Sequence, residues 1–287
     1  MSRLKIAALV VGVGLIAATA AGGIGAAVAT ALVTQLYSRQ VQSEDFERIA
    51  VESELLGETR DLRVRVPVGY DADPEARYPV LLVLDGGSHD GHTAHVAEVL
   101  FRLGLGKQVI VVGVTNGVAG RSGDFTPPGD AYGPTVGRAD RFLQFLDTEA
   151  MPAIDRRFRT NSSWMLAGNS LGALFVTYSL LQRPELFDAR FAFSPSWWVG
   201  DQALVPELER FLVEHPDVES YFYTSLGSRE SRQMGEAFDA GTSVLTQRAP
   251  VGLRWHADRT AGADHGTNAV LSTPVALRGY WEGVRGE

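Results

Sequence analysis

The chain has 287 residues, 45% of them apolar and 21% charged, enough for one large α/β domain with a complete core. Residues 1–40 hold three cations (Arg3, Lys5, Arg39) and no acids, which leaves 23 cations against 34 acids, −11, on residues 41–287. That balance argues against a nucleic-acid partner, which needs a basic surface. The absence of cysteine excludes disulfides, thiol nucleophiles and thiolate metal sites.

After two cations in residues 1–5, residues 6–33 run for 28 positions without a charge. This is longer than a signal-peptide core of roughly 7 to 15 residues and long enough to span a bilayer at ~20. Ala18-Thr19-Ala20 and Ala29-Thr30-Ala31 have the small-x-small form of a cleavage site. Residues 1–40 are therefore expected to be a signal-anchor or a cleaved signal peptide. In both cases the positive-inside rule puts residues 41–287 outside the cytoplasm, in a periplasmic or other extracytoplasmic location.

Residues 46–53 and 60–66 read as strands joined at Gly57-Glu58, an antiparallel hairpin. Residues 78–84 and 108–114 are continuous apolar runs, as in a sheet covered on both faces, with a helix expected between them at 92–103. Residues 115–137 hold six glycines and three prolines and read as a mobile lid or substrate loop. Residues 138–158 carry helical apolar spacing interrupted by Pro152. Strands are expected at 164–168, 189–194, 220–226 and 251–257, and helices at 171–183, 203–214, 232–247 and 268–281. This alternation predicts an α/β fold, a mostly parallel central sheet with antiparallel N-terminal strands, in one domain over residues 41–287.

Gly168-Asn169-Ser170-Leu171-Gly172 has the G-x-S-x-G form between a predicted strand and a predicted helix, the setting that presents a serine hydroxyl above a sheet. Such a serine needs a base. His265 lies in the small-residue loop 262–268 before the last helix, whereas His256 falls inside an alternating strand. The orienting acid belongs between serine and histidine, and Glu230 follows a predicted strand's carboxyl end; Asp258 and Asp264 compete with it. Leu171 and Gly87 are the expected oxyanion-hole amides, with Gly86 as an alternative to Gly87. His89, Asp90, His92 and His95 lack a metal-site arrangement, so no metal and no cofactor is expected.

The motifs at 78–86, 121–127 (Arg-Ser-Gly-Asp-Phe-Thr-Pro), 166–172, 194–198 (Ser-Pro-Ser-Trp-Trp), 227–230 and 264–266 (Asp-His-Gly) together resemble the esterase branch of α/β-hydrolases. The likeness is greatest to ferric-siderophore (enterochelin and salmochelin) esterase-like members and covers roughly residues 46–287. It implies an α/β-hydrolase fold, Ser170, Glu230 and His265 at the triad positions, and Arg121 and Trp198 where members shape the substrate pocket. It also implies a serine carboxylesterase acting through an acyl-enzyme on a small-molecule ester, siderophore-type or otherwise. Asn169 and Ala173 depart from the family pattern without removing a catalytic group. Acyl transfer by the same three residues, or a non-catalytic hydrolase-fold binding protein, are the alternatives.

Overall fold

The computed structural model describes residues 46–118, 120–132 and 137–285. They belong to one compact unit, Asp45–Glu287. The amino-terminal segment expected to be a signal-anchor or signal peptide lies outside the described residues. Among the described residues no helix is long and apolar enough to cross a membrane.

The described residues hold eight strands: β1 (Glu47–Ser53), β2 (Glu58–Arg65), β3 (Tyr78–Leu84), β4 (Ile110–Val114), β5 (Thr160–Asn169), β6 (Ala189–Phe193), β7 (Ser220–Gly227) and β8 (Leu253–Thr260). They form one sheet in the order β1-β2-β4-β3-β5-β6-β7-β8. The pairs β1/β2 and β2/β4 are antiparallel, and every other pair is parallel. In the lead-in hairpin Ser53 faces Glu58, and Gly57 turns the chain at φ 69°, a value that favours glycine. All residues of β3 and β4 are buried, which accounts for their unbroken apolar sequences, while β1 at the edge alternates buried and exposed positions. This is the expected α/β-hydrolase architecture.

The α-helices among the described residues are α1 (Asp90–Arg102), α2 (Gly120–Phe125), α3 (Ala139–Phe145), α4 (Met151–Asp155), α5 (Leu171–Gln182), α6 (Val199–Gln202), α7 (Leu204–Glu214), α8 (Arg232–Arg248) and α9 (Asn268–Arg285). Pro152 does not break the chain between α3 and α4. The intervening turn, Leu146–Ala150, is a π-turn, and the Met151 N–H closes it on the Leu146 carbonyl. Helix α5 is buried along most of its length, packed against β5 and β6. At its far end the fully buried Arg190 donates to the carbonyls of Arg183 (2.7 Å) and Phe187 (2.8 Å) and to the hydroxyls of Ser179 (3.1 Å) and Ser220 (3.0 Å).

The glycine- and proline-rich stretch expected to be a mobile lid or substrate loop is tied to the sheet where it is described. Arg60 of β2, 1% exposed, donates to Asp124 of α2 at 2.6 Å and to Glu58 at 2.9 Å. Arg138 donates to the other oxygen of Asp124 at 3.0 Å and to Glu58 at 3.3 Å. Glu58 also accepts the Val118 N–H at 2.7 Å. Two buried or half-buried cations and two carboxylates thus cancel one another, and opening the loop would part Arg60 from Asp124 and Glu58 from the Val118 amide. Composition predicts the loop; it does not reveal the ionic anchor, whose members come from segments far apart in sequence.

Removing one member of this cluster strands a buried charge. Asp124→Ala is expected to cost about 3–5 kcal/mol in urea unfolding. Glu282→Ala, which breaks an exposed pair with Arg278, is expected to shift the midpoint little.

Candidate active site

Strand β5 ends at Asn169 and α5 begins at Leu171, so Ser170 is the whole connection between them. It has φ 61° and ψ −119°, a strained conformation for a residue with a side chain. The tightness has a specific cause at Gly168, where a Cβ would lie 2.5 Å from the Gly172 carbonyl group. At Gly172 a Cβ would meet nothing nearer than 3.5 Å, so the two glycines are not equally constrained. The Ser170 N–H is held by the Phe193 carbonyl at 3.0 Å, and its Oγ lies 3.3 Å from Ser196 Oγ. Leu171 is the first residue of α5, so its N–H has no intrahelical acceptor and faces the turn.

Strand β7 ends at Gly227 and delivers Glu230 three residues later; the loop after β8 delivers His265. His265 Nδ1 lies 2.8 Å from Glu230 Oε2, with the carboxylate side chain 1% exposed and the imidazole 46% exposed. Glu230 Oε1 accepts the Gly227 N–H at 2.8 Å and the Ser194 hydroxyl at 2.6 Å. Burial pushes this carboxyl up, but hydrogen bonds from His265, Ser194 and Gly227 outweigh it and hold Glu230 below the usual carboxylate range. Among the described residues no hydrogen bond joins His265 to Ser170; the hydroxyl rests against Ser196 instead.

The competing acids are engaged elsewhere. Asp264 accepts from Thr267 Oγ1 at 2.8 Å and from the Gly266 and Thr267 amides. Asp258 lies 3.5 Å from His256 Nε2, and His256 stacks on Tyr223 in the sheet, as its place in an alternating strand implies.

The loop after β3 departs from expectation. Gly87, expected to offer its N–H to an oxyanion, donates it to Asp90 Oδ1 at 2.6 Å, and the Gly86 N–H goes to the Val114 carbonyl at 2.8 Å. Asp90 is fully buried and is drawn inward by Arg63 and Arg65 of β2, at 3.1 and 3.4 Å. Its other oxygen is thereby left to collect the glycine amide. A buried ion pair reaching across from β2 is invisible to a reading of local glycines.

Arg121, expected at the substrate pocket, makes a two-pronged contact with Asp85: Nε to Oδ1 and Nη2 to Oδ2, both 2.9 Å. Its Nη2 also reaches the Asn169 carbonyl at 3.1 Å. One guanidinium therefore joins α2, the loop after β3 and the residue before Ser170, while its side chain stays 36% exposed. Trp197 is core, 1% exposed, donating to Thr177 Oγ1 at 2.9 Å; Trp198 is 37% exposed. His89 and His92 pack edge to face, and burial pushes both imidazoles down, His92 to about 3. A neutral pair of this kind adds no charge to the site.

Ser194, Ser196 and Asn268 join the site without having been singled out by spacing. Ser194 and Ser196 occur in the motif at 194–198, just past the carboxyl end of β6, where polar residues after a buried strand are the available signal. Asn268, fully buried at the start of α9, follows His265 by three residues.

With this geometry described, the relatives can be set beside it. The family model Esterase, "putative esterase", matches residues 53–234. The chain is 36% identical over 94 residues to the siderophore triacetylfusarinine C esterase of Aspergillus fumigatus, 32% of each chain. It is 33% identical over 125 residues to the siderophore enterobactin esterase of Emericella nidulans, 37% of this chain and 41% of that one. These matches span less than half the length of either relative. The solved structure of an IroE-like serine hydrolase from Shewanella oneidensis superposes with a TM-score of 0.75 at 27% identity, covering 82% of this chain and 79% of that one. Since the family model covers more than half of its length, this chain, with its α/β-hydrolase fold, belongs to the Esterase family.

Proposed function

We propose that the protein is a serine carboxylesterase that works through an acyl-enzyme, with Ser170 as nucleophile, His265 as base and acid, and Glu230 as the group that orients His265. The observation that carries this reading is the 2.8 Å contact between His265 Nδ1 and a buried carboxylate, in a fold whose strand-to-helix turn presents Ser170. A proton on Nδ1, facing Glu230, leaves Nε2 as the acceptor for the Ser170 proton.

The hydroxyl turns from Ser196 toward Nε2 and attacks the ester carbonyl as Nε2 takes its proton. The tetrahedral oxyanion forms at the amino terminus of α5, where the Leu171 N–H donates to it. Gly87 is not assigned a share, because its N–H is held by Asp90. Collapse breaks the ester C–O bond, and the imidazolium returns its proton to the departing alcohol. Water then attacks the acyl-enzyme with His265 again as base, releasing the acid and restoring Ser170.

The substrate we propose is a small-molecule ester of siderophore type, which the names of the two relatives support. Trp198 and the open face of Arg121 line the approach to Ser170 in this reading. Residues 1–40 act as signal-anchor or signal peptide, so that the catalytic domain, 41–287, works outside the cytoplasm, tethered through that segment if it is uncleaved.

Ser170→Ala is expected to abolish labelling of the full-length protein by a fluorophosphonate and to lower kcat/KM for p-nitrophenyl esters by at least ~10³-fold; labelling that persists would refute the nucleophile. Glu230→Gln keeps the shape but loses the charge, and kcat is expected to fall roughly 10³- to 10⁴-fold with KM little changed. Because Glu230 titrates below its unfolded value of ~4.3, its contribution to stability is complete above that pH and fades as pH falls through the folded value. Urea midpoints at pH 7 and pH 3 should therefore differ less in Glu230→Gln than in the wild type.

A further inference from the structure

The turn after β6 touches both ends of the proposed triad: Ser196 meets Ser170 Oγ at 3.3 Å, and Ser194 donates to Glu230 Oε1 at 2.6 Å. Ser194 is fully buried and sits at φ 49°, in the left-handed region where glycine would be at ease. A residue kept there against backbone preference points to its side chain. That side chain has one proton to give. Asn268 Nδ2 lies 2.9 Å from Ser194 Oγ and 3.2 Å from the Ser225 carbonyl, while Asn268 Oδ1 accepts from Ser272 at 3.0 Å. A carbonyl can only accept, so the Ser225 contact fixes which end of the amide is nitrogen. Asn268 therefore donates into the Ser194 hydroxyl, and the hydroxyl proton is directed to Glu230.

We propose that Ser194, itself oriented by Asn268, is a positioning residue for Glu230. With the Gly227 amide, 2.8 Å from the same oxygen, it pins Oε1 and so turns Oε2 toward His265. The inference rests on the triad reading above, through which Ser194 acts.

The test is a double-mutant cycle in the full-length protein with p-nitrophenyl esters: wild type, Ser194→Gly, Glu230→Ala and the double variant, each with its Tm. Glycine removes the hydroxyl and relieves the φ strain, so the Tm of Ser194→Gly is not expected to fall far. Its kcat is expected to drop about 10- to 100-fold, the rate equivalent of one hydrogen bond to a charged group, with KM nearly unchanged. In the Glu230→Ala background the same change is expected to do nothing further. Wild-type kcat in Ser194→Gly, or an equal loss in both backgrounds, would overturn the positioning role while leaving the triad intact. A Glu230→Ala variant as active as wild type would overturn both.

Discussion

The site depends on a backbone crossing that only glycine permits. At Gly168 the end of β5 passes so close to the first turn of α5 that no Cβ fits, and the chain must reverse from strand to helix within the single residue Ser170. That reversal puts the hydroxyl at the carboxyl edge of the sheet and the free amides of α5 beside it. The other segments of the site meet this point from the same edge: the loop after β3, the turn after β6, the acid after β7 and the histidine after β8. A parallel sheet makes this convergence automatic, because all its strands end on one side.

Charge is used mainly to hold these loops. Arg60 and Arg138 are spent on Asp124 and Glu58, Arg63 and Arg65 on Asp90, and Arg121 on Asp85. The acidic balance of the chain therefore coexists with five arginines held in place by carboxylate partners. Arg121 illustrates the double duty such a residue can have: two of its nitrogens fix the loop after β3 and the Asn169 carbonyl, and the rest of its surface faces outward.

Features that follow from local pattern were legible in the sequence. The all-apolar runs of β3 and β4, the period-two edge of β1 and the G-x-S-x-G turn each announce themselves over a few residues. So does Glu230 just past a strand, which the structure brings to His265 across 35 positions. What the pattern concealed depends on side chains that meet from distant segments. The Gly87 amide is claimed by a carboxylate that arginines from β2 hold in place, and the 115–137 loop is anchored by Arg60 from 64 residues before Asp124. Ser194 and Asn268 are joined over 74 residues by a bond with no periodic signature. Composition reports that a loop is rich in glycine, but only the fold shows whether it is tied down.

Helix α5 is terminated differently at its two ends. Its last carbonyls and those of the following turn converge on Arg190, a cation that burial pushes down only to about 9, so it stays charged at neutral pH with backbone and hydroxyl oxygens around it. At the opposite end, roughly 18 Å away for 12 residues, the carboxylate beside the first turn, Asp85, which a Cβ on Gly172 would meet at 3.5 Å, is already paired with Arg121. The negative pole of the helix is thus met by a buried cation, whereas the acid at its positive pole is shared with an arginine. That sharing leaves part of the helix's amino-terminal field for the anion that the proposed attack by Ser170 would create.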